Sequence, residues 1–333
     1  VRILLAGDVM LGRLVNQALK HKDPDYVWGD TLPLFRAADV RICNLECVLS
    51  DRGRPWSVPP KVFHFRSDAK NVSVLAAAGI DVVSLANNHV LDYEYVALLE
   101  MLDILERAAI RYSGAGRNRN EARRPAVLDR NGKRVAVIAA TDNEPSWEAA
   151  AELPGTFYTP IDTSDHRAAE LIALVSETAR HATVLIVSLH WGPNWGYDPP
   201  REHVLFARTL IDAGAAIVFG HSPHVFRGVE IYKGKPILYS AGDFIDDYAV
   251  DEVERNDESF VFTIDVEDRS VSEIALYPTL ISAFQARRAD PGMGRQIAAK
   301  MQALCGGLGT RSSWSAAGQR LVIPVPARGE RAA

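Results

Sequence analysis

The sequence is short of cysteine and has no long apolar run, and each shortage removes a class of protein. Three cysteines in 333 residues, with Cys43 and Cys47 close together, do not make a disulfide framework. A reducing compartment fits that usage. No segment approaches the roughly 20 consecutive apolar residues that a membrane-spanning helix needs. The opening residues Val1-Arg2-Ile3-Leu4-Leu5-Ala6 run straight into Gly7. They lack the basic start, apolar stretch and small-residue cleavage site of a secretory signal, so they read as a strand of a soluble, cytoplasmic protein. Positive charge is not in excess either. With 37 Lys and Arg against 42 Asp and Glu the net charge is -5, which argues against nucleic acid or an anionic membrane as a partner. The oligomeric state is left open.

What is present is ample material for a core, at 47% hydrophobic residues. Short, β-branched-rich runs at residues 2–6, 40–44, 81–86, 135–140, 183–189 and 215–220 predict strands buried on both faces. Amphipathic stretches at 69–78, 93–109, 163–179 and 200–213 predict helices between them, with a cap in residues 163–165 and a stop at Gly214. This alternation is the pattern of an α/β protein. The later runs 225–232, 236–240, 259–266 and 270–277 predict antiparallel strands, with a tight turn at Lys233-Gly234-Lys235, and hence a second sheet packed on the first. Residues 1–280 are expected to form the catalytic domain. Residues 281–333 are expected to pack on it as an extension, with a helix at 295–304 and a loose tail at 326–333.

The informative feature is where polar residues fall. Asp8 follows the first strand, Glu46 the second, Asn88 and His89 the third, His190 a later one, and His221 and His224 the next. Ligands of open α/β sheets bind beyond the carboxyl ends of the strands. Taken singly, Asp8 is a cap, Glu46 a loop residue, Asn88 a turn residue and His190 a half-buried histidine. Taken together, metal-competent side chains at successive strand ends predict a divalent-metal site. The mixture of imidazole and carboxylate suits zinc, manganese or iron better than calcium. Glu46 could bridge two ions about 3.5–4 Å apart.

The ordered motifs Gly7-Asp8-Val9-Met10-Leu11-Gly12-Arg13, Asn44-Leu45-Glu46, Ala86-Asn87-Asn88-His89, His190-Trp191-Gly192, Gly220-His221-Ser222-Pro223-His224 and Tyr239-Ser240-Ala241-Gly242-Asp243-Phe244 resemble the CapA family, named for poly-γ-glutamate capsule synthesis. That family is similar to calcineurin-like metallophosphoesterases, so the resemblance implies a two-sheet sandwich flanked by helices and, with it, two divalent ions. Carried over, the pattern gives Asp8 and His224 to one ion and Asn88, His190 and His221 to the other, with Glu46 bridging. His89 takes the place of the general acid, and Asp92 could orient it. Two positions depart from the pattern. Met10 stands where phosphoesterases usually carry a histidine, and Glu46 stands for the usual bridging aspartate.

Three activities follow as expectations. One CapA-like group epimerises the C-terminal residue of a lasso-peptide precursor, which implies a peptide substrate and two proton-transfer groups, one on each face of the α-carbon. His89 is the first candidate. Asp243, Asp246, Asp247 and Cys47 are candidates for the other face, although Cys47 is read first as a small packing residue. The alternatives are phosphoester hydrolysis and a role in polyglutamate synthesis. For substrate binding, Trp191, Trp195 and Tyr197 could stack on an apolar group or plug a loop. Arg13 could pin an anion or lie on a helix surface. Residues 52–64, rich in proline and aromatics, look like a lid or a connector.

Overall fold

The computed structural model describes residues 1–325, so the tail at 326–333 lies outside the described residues. Strands β1 (Arg2–Val9), β2 (Val40–Leu45), β3 (Val82–Ser84) and β4 (Arg111–Ser113) lie side by side and parallel. Helix α1 (Glu94–Arg107) connects β3 to β4. The hairpin β5 (Ala126–Arg130) and β6 (Lys133–Thr141) opens a second sheet. Helices α2 (His166–His181) and α3 (Arg201–Ala213) lead into its parallel strands β7 (Val184–His190) and β8 (Ile217–His221). Hairpin β9 (Val229–Tyr232) and β10 (Lys235–Leu238) adds its far edge. Lys233 and Gly234 both have positive φ there, as a tight two-residue turn requires.

The chain then returns to the first sheet. β11 (Asp243–Ile245) lies parallel to the end of β1, while β12 (Glu258–Glu267) runs antiparallel to β1 and β13 (Ser270–Ser282) antiparallel to β12. β14 (Gln285–Arg288) and, after helix α4 (Pro291–Gly307) and the short β15 (Ser313–Ser315), β16 (Arg320–Pro324) both pair with β13. Early and late strands are therefore mixed in both sheets, where the sequence pattern separated them. Every one of the early runs buries both faces, and that pattern does not name a neighbour.

Alternation along each strand builds three cores. In β1, Ile3 and Leu5 face Val137, Ile186 and Phe219 of the other sheet, whereas Leu4 and Ala6 face Leu98 and Leu102 of α1. In β7, Val184 and Ile186 join the middle core while Leu185, Val187 and Leu189 pack beneath α2 and α3. The result is two sheets face to face with helices on the outer sides. Asp165 caps α2 by accepting from the Arg167 N–H, and Gly214, at φ 122°, stops α3. In α4, Ile297, Met301 and Cys305 recur on one face and enter the middle core. The expected helix at 69–78 is shorter, a turn at Ala69–Asn71 followed by Val72–Ala77.

Candidate metal centre

Strand register brings the polar residues together. In the first sheet Asp8 is level with Asn44 of β2 and Asp243 of β11; in the second, His190 is level with His221. The carboxyl ends of both sheets meet at this edge. β11 can lie so close to β1 only because residue 7 is glycine: a β-carbon there would stand 1.9 Å from the Gly242 carbonyl oxygen. The Asp8 N–H in turn donates to that oxygen at 3.0 Å. Ser222 follows β8 with φ 100°, a strained value that aims its N–H at Asp8 Oδ2, 3.3 Å away.

The donor atoms form two groups. Asp8, His190 and His221 offer ligand atoms within 4.8 Å of one another, and so do Asp8, Glu46 and Asp243. His190 Nδ1 faces His221 Nδ1 at 2.9 Å, His190 Nε2 lies 2.9 Å from Asn88 Oδ1, and His221 Nε2 is occupied by Ser188 Oγ at 2.8 Å. His224 Nδ1 meets Asp243 Oδ1 at 3.1 Å. Asp8 is thus common to both groups, where the family pattern gives the shared place to Glu46, and Asp243 stands among the donors. Met10 does not supply the missing donor, since it is fully buried and its sulfur accepts from the Gly12 N–H at 3.0 Å.

The donors fit divalent cations. Glu46 Oε2 and Asp243 Oδ2 are buried without a hydrogen-bond partner, which is costly for an anion unless a cation faces it. Burial, reinforced by the neighbouring carboxylates, pushes Glu46 and Asp243 well above the usual carboxyl range, and burial raises Asp8 to about 6. Burial also lowers His221 to about 3 and holds His190 well below an ordinary histidine. The imidazoles are therefore neutral, with lone pairs free for a metal. One group is all carboxylate and the other mixes imidazole with carboxylate, a combination open to manganese, zinc, iron or magnesium.

His89 stands beside the donors, its Nε2 3.8 Å from Glu46 Oε1. Its Nδ1–H donates to Asp92 Oδ2 at 2.6 Å, its backbone N–H donates to Asn87 Oδ1, and its ring stacks on Phe65 at 4.0 Å. Burial lowers it to about 4. His89 opens onto a cavity of about 570 Å³ that Glu46, Asn88, His190, His224, Arg13 and Trp195 also line. Arg13 is held at Asp247 Oδ2, 3.4 Å away, and Trp195 lies 5.3 Å from the His224 ring.

Other candidates lie elsewhere. Trp191 is fully buried, stacks on His203 and donates to the Tyr239 carbonyl, so it plugs the loop behind His190 and does not reach the cavity. Tyr197 packs on Phe226. Cys47 is fully buried outside the cavity, and burial pushes its thiol up to about 12. Asp246 is buried and does not line the cavity.

Sequence reasoning passed over Asn44, Asn87 and Lys61. Asn44 donates to Asp8 Oδ1 at 2.8 Å and accepts from Asn87, an amide chain that joins Asp8 to the His89 backbone. Both asparagines sit inside the quoted motifs, so their position beside the ligands was the available signal. Lys61 carried none, as a lone lysine in a proline-rich loop.

No helix among the described residues is long and apolar enough to cross a membrane. The chain is 35% identical over 286 residues to a probable polyglutamine synthesis accessory protein of Mycobacterium tuberculosis (strain CDC 1551 / Oshkosh), covering 74% of this chain and 75% of that one. It is 30% identical over 243 residues to the PGA biosynthesis protein CapA of Bacillus subtilis (strain 168), covering 72% of this chain and 62% of that protein, so it spans less than two thirds of that relative. Among solved structures it is similar to a hypothetical protein from Thermus thermophilus, with TM-score 0.52, 16% identity and coverage of 84% and 98%. It is also similar to a putative 5'-nucleotidase from Staphylococcus aureus solved with alpha-ketoglutarate, with TM-score 0.51, 14% identity and coverage of 92% and 58%. At such identities the likeness concerns fold alone, and that fold is the two-sheet sandwich flanked by helices. Residues 2–248 match the model described as bacterial capsule synthesis protein PGA_cap, and the chain belongs to that family.

Proposed function

We propose that the protein is a metal-dependent, hydrolase-type enzyme acting on an anionic substrate in the making of a polyglutamate-type polymer. The observation that carries this reading is His89, an imidazole backed by Asp92 and facing the cavity 3.8 Å from Glu46. Asp8, His190, His221 and Asn88 would hold one cation, and Asp8, Glu46 and Asp243 the other. When bound, the cations supply Lewis acidity toward an anionic oxygen of the substrate. The chain's own residues do the rest. Asp92 fixes the His89 tautomer with its hydrogen on Nδ1, so Nε2 is left to exchange a proton with the reacting group. The cavity admits the substrate between Arg13, Trp195 and the donors. The names of the relatives supply the polymer.

Peptide epimerisation is the second reading. Met10 favours it, because its sulfur is turned to Gly12 and would leave a bound cation free to take a substrate carboxylate. Against it, Asp243, Asp246, Asp247 and Cys47 all lie outside the cavity lining, so none of these candidates stands ready at the opposite face of an α-carbon.

The test is His89→Asn in protein stripped and reloaded with manganese or zinc, assayed on aryl phosphates and on glutamyl peptides. Turnover should fall by about 10²–10⁴-fold with metal content unchanged. Deuterium uptake at a peptide α-carbon without bond cleavage would place epimerisation first. Loss of metal in the variant would make His89 a ligand.

A further inference from the structure

Residues 52–64 form a strap between the two-residue strands Val48–Leu49 and Arg66–Ser67. Close to the second of these strands, Val62 is 87% exposed and Phe63 58%, yet both line the cavity. Nearer the middle of the strap, Trp56 packs against Trp147 and Tyr95. Three polar attachments of this segment and of Phe65 just after it converge on one residue, beside others such as Arg52 to Glu100. The Trp56 N–H donates to the Asp92 carbonyl at 2.8 Å, Lys61 Nζ donates to Asp92 Oδ1 at 2.6 Å, and the Phe65 N–H donates to Asp92 Oδ2 at 2.7 Å.

That last oxygen also accepts from His89 Nδ1, and the Phe65 ring is the one stacked on the His89 imidazole. Lys61 donates in addition to the Asn88 carbonyl and sits 4.6 Å over the Trp147 ring. Its side chain is only 11% exposed and that of Asp92 not at all. An ion pair so enclosed is hard to open from one side, since a lone partner would remain buried with its charge unmet.

We propose that Lys61 is a positioning residue that latches the strap onto Asp92, so that closure of the strap over the cavity and alignment of His89 are a single coupled event. Asp92 divides its two oxygens between the tasks: Oδ1 holds the latch and Oδ2 holds the imidazole. Coupling of this kind is reciprocal. Disturbing Asp92 must loosen the strap, and removing Lys61 must loosen His89. The proposal rests on His89 as the proton-transfer group only for its effect on turnover; the coupling itself is read without turnover.

The experiment is hydrogen–deuterium exchange of the intact chain, wild type against Lys61→Met, Lys61→Arg and Asp92→Asn, with ¹⁵N-imidazole spectra of the same proteins. In Lys61→Met and in Asp92→Asn alike, amides of the strap should exchange about tenfold or more faster, as loss of a charge-assisted hydrogen bond implies. Lys61→Arg should restore part of the protection. In Lys61→Met the His89 signals should pass from one fixed tautomer to an averaged pair. That spectrum stands by itself if Asp92→Asn fails to fold. A fixed tautomer in Lys61→Met, or a strap equally protected in folded Asp92→Asn, overturns the proposal. Absence of any hydrolytic turnover would sink the hydrolase reading and leave these results unchanged.

Discussion

Replacing Asp8 by asparagine should change stability in opposite directions with and without metal. In metal-free protein, burial raises the Asp8 carboxyl from 3.8 to about 6, a displacement worth about 3 kcal/mol at about 1.4 kcal/mol per tenfold change. The native state therefore holds a proton on this group that the unfolded chain has released, and stability falls as pH rises from about 4 to about 6. Above that window the ionised carboxylate bears the whole cost. Asparagine has no charge to desolvate. It keeps one acceptor oxygen, but its amide must face either the Ser222 N–H or the Asn44 amide, which now donate to Asp8. One hydrogen bond is then lost, at about 1 kcal/mol.

The net expectation is that metal-free Asp8→Asn is more stable than wild type by about 2 kcal/mol at mildly alkaline pH, and that below pH about 4, where only the lost hydrogen bond counts, it is less stable by about 1 kcal/mol. With cation the order reverses. Ligand at a hundred times its dissociation constant adds about 2.7 kcal/mol to a protein that binds it, and the variant lacks the one carboxylate shared by both donor groups. The assay is urea unfolding across pH, with chelator and with manganese, alongside elemental analysis. A metal-free variant no more stable than wild type would refute the argument from desolvation. Full retention of both ions would refute the central place of Asp8.

Gly7→Ala should lower stability by about 1–3 kcal/mol and cost metal, because its methyl group meets the Gly242 carbonyl and drives Asp243 from the site; unfolding curves and metal content check it. Cys47→Ala should leave turnover within a few-fold of wild type. In folded wild type the Cys47 thiol, buried and pushed up to about 12, should resist thiol reagents until the protein unfolds. Trp191→Phe should reduce stability without altering KM, whereas Trp195→Ala should raise KM, a contrast that steady-state kinetics with thermal unfolding would expose.

The sequence by itself determined the strands and the identity of most donors. Runs such as residues 2–6 and 184–189 are apolar on both faces, which only a strand covered on both sides can use, and Asp8, Glu46, Asn88, His190 and His221 follow such runs directly. Local pattern suffices there because burial and alternation are properties of neighbouring residues. The tertiary structure decided what depends on pairing. It divided the strands between two sheets, set Asp243 level with Asp8 and so among the donors, turned Trp191 into the core, and carried Lys61 onto Asp92. Register between distant strands and the path of a strap are fixed by contacts across the chain, and no local periodicity records them.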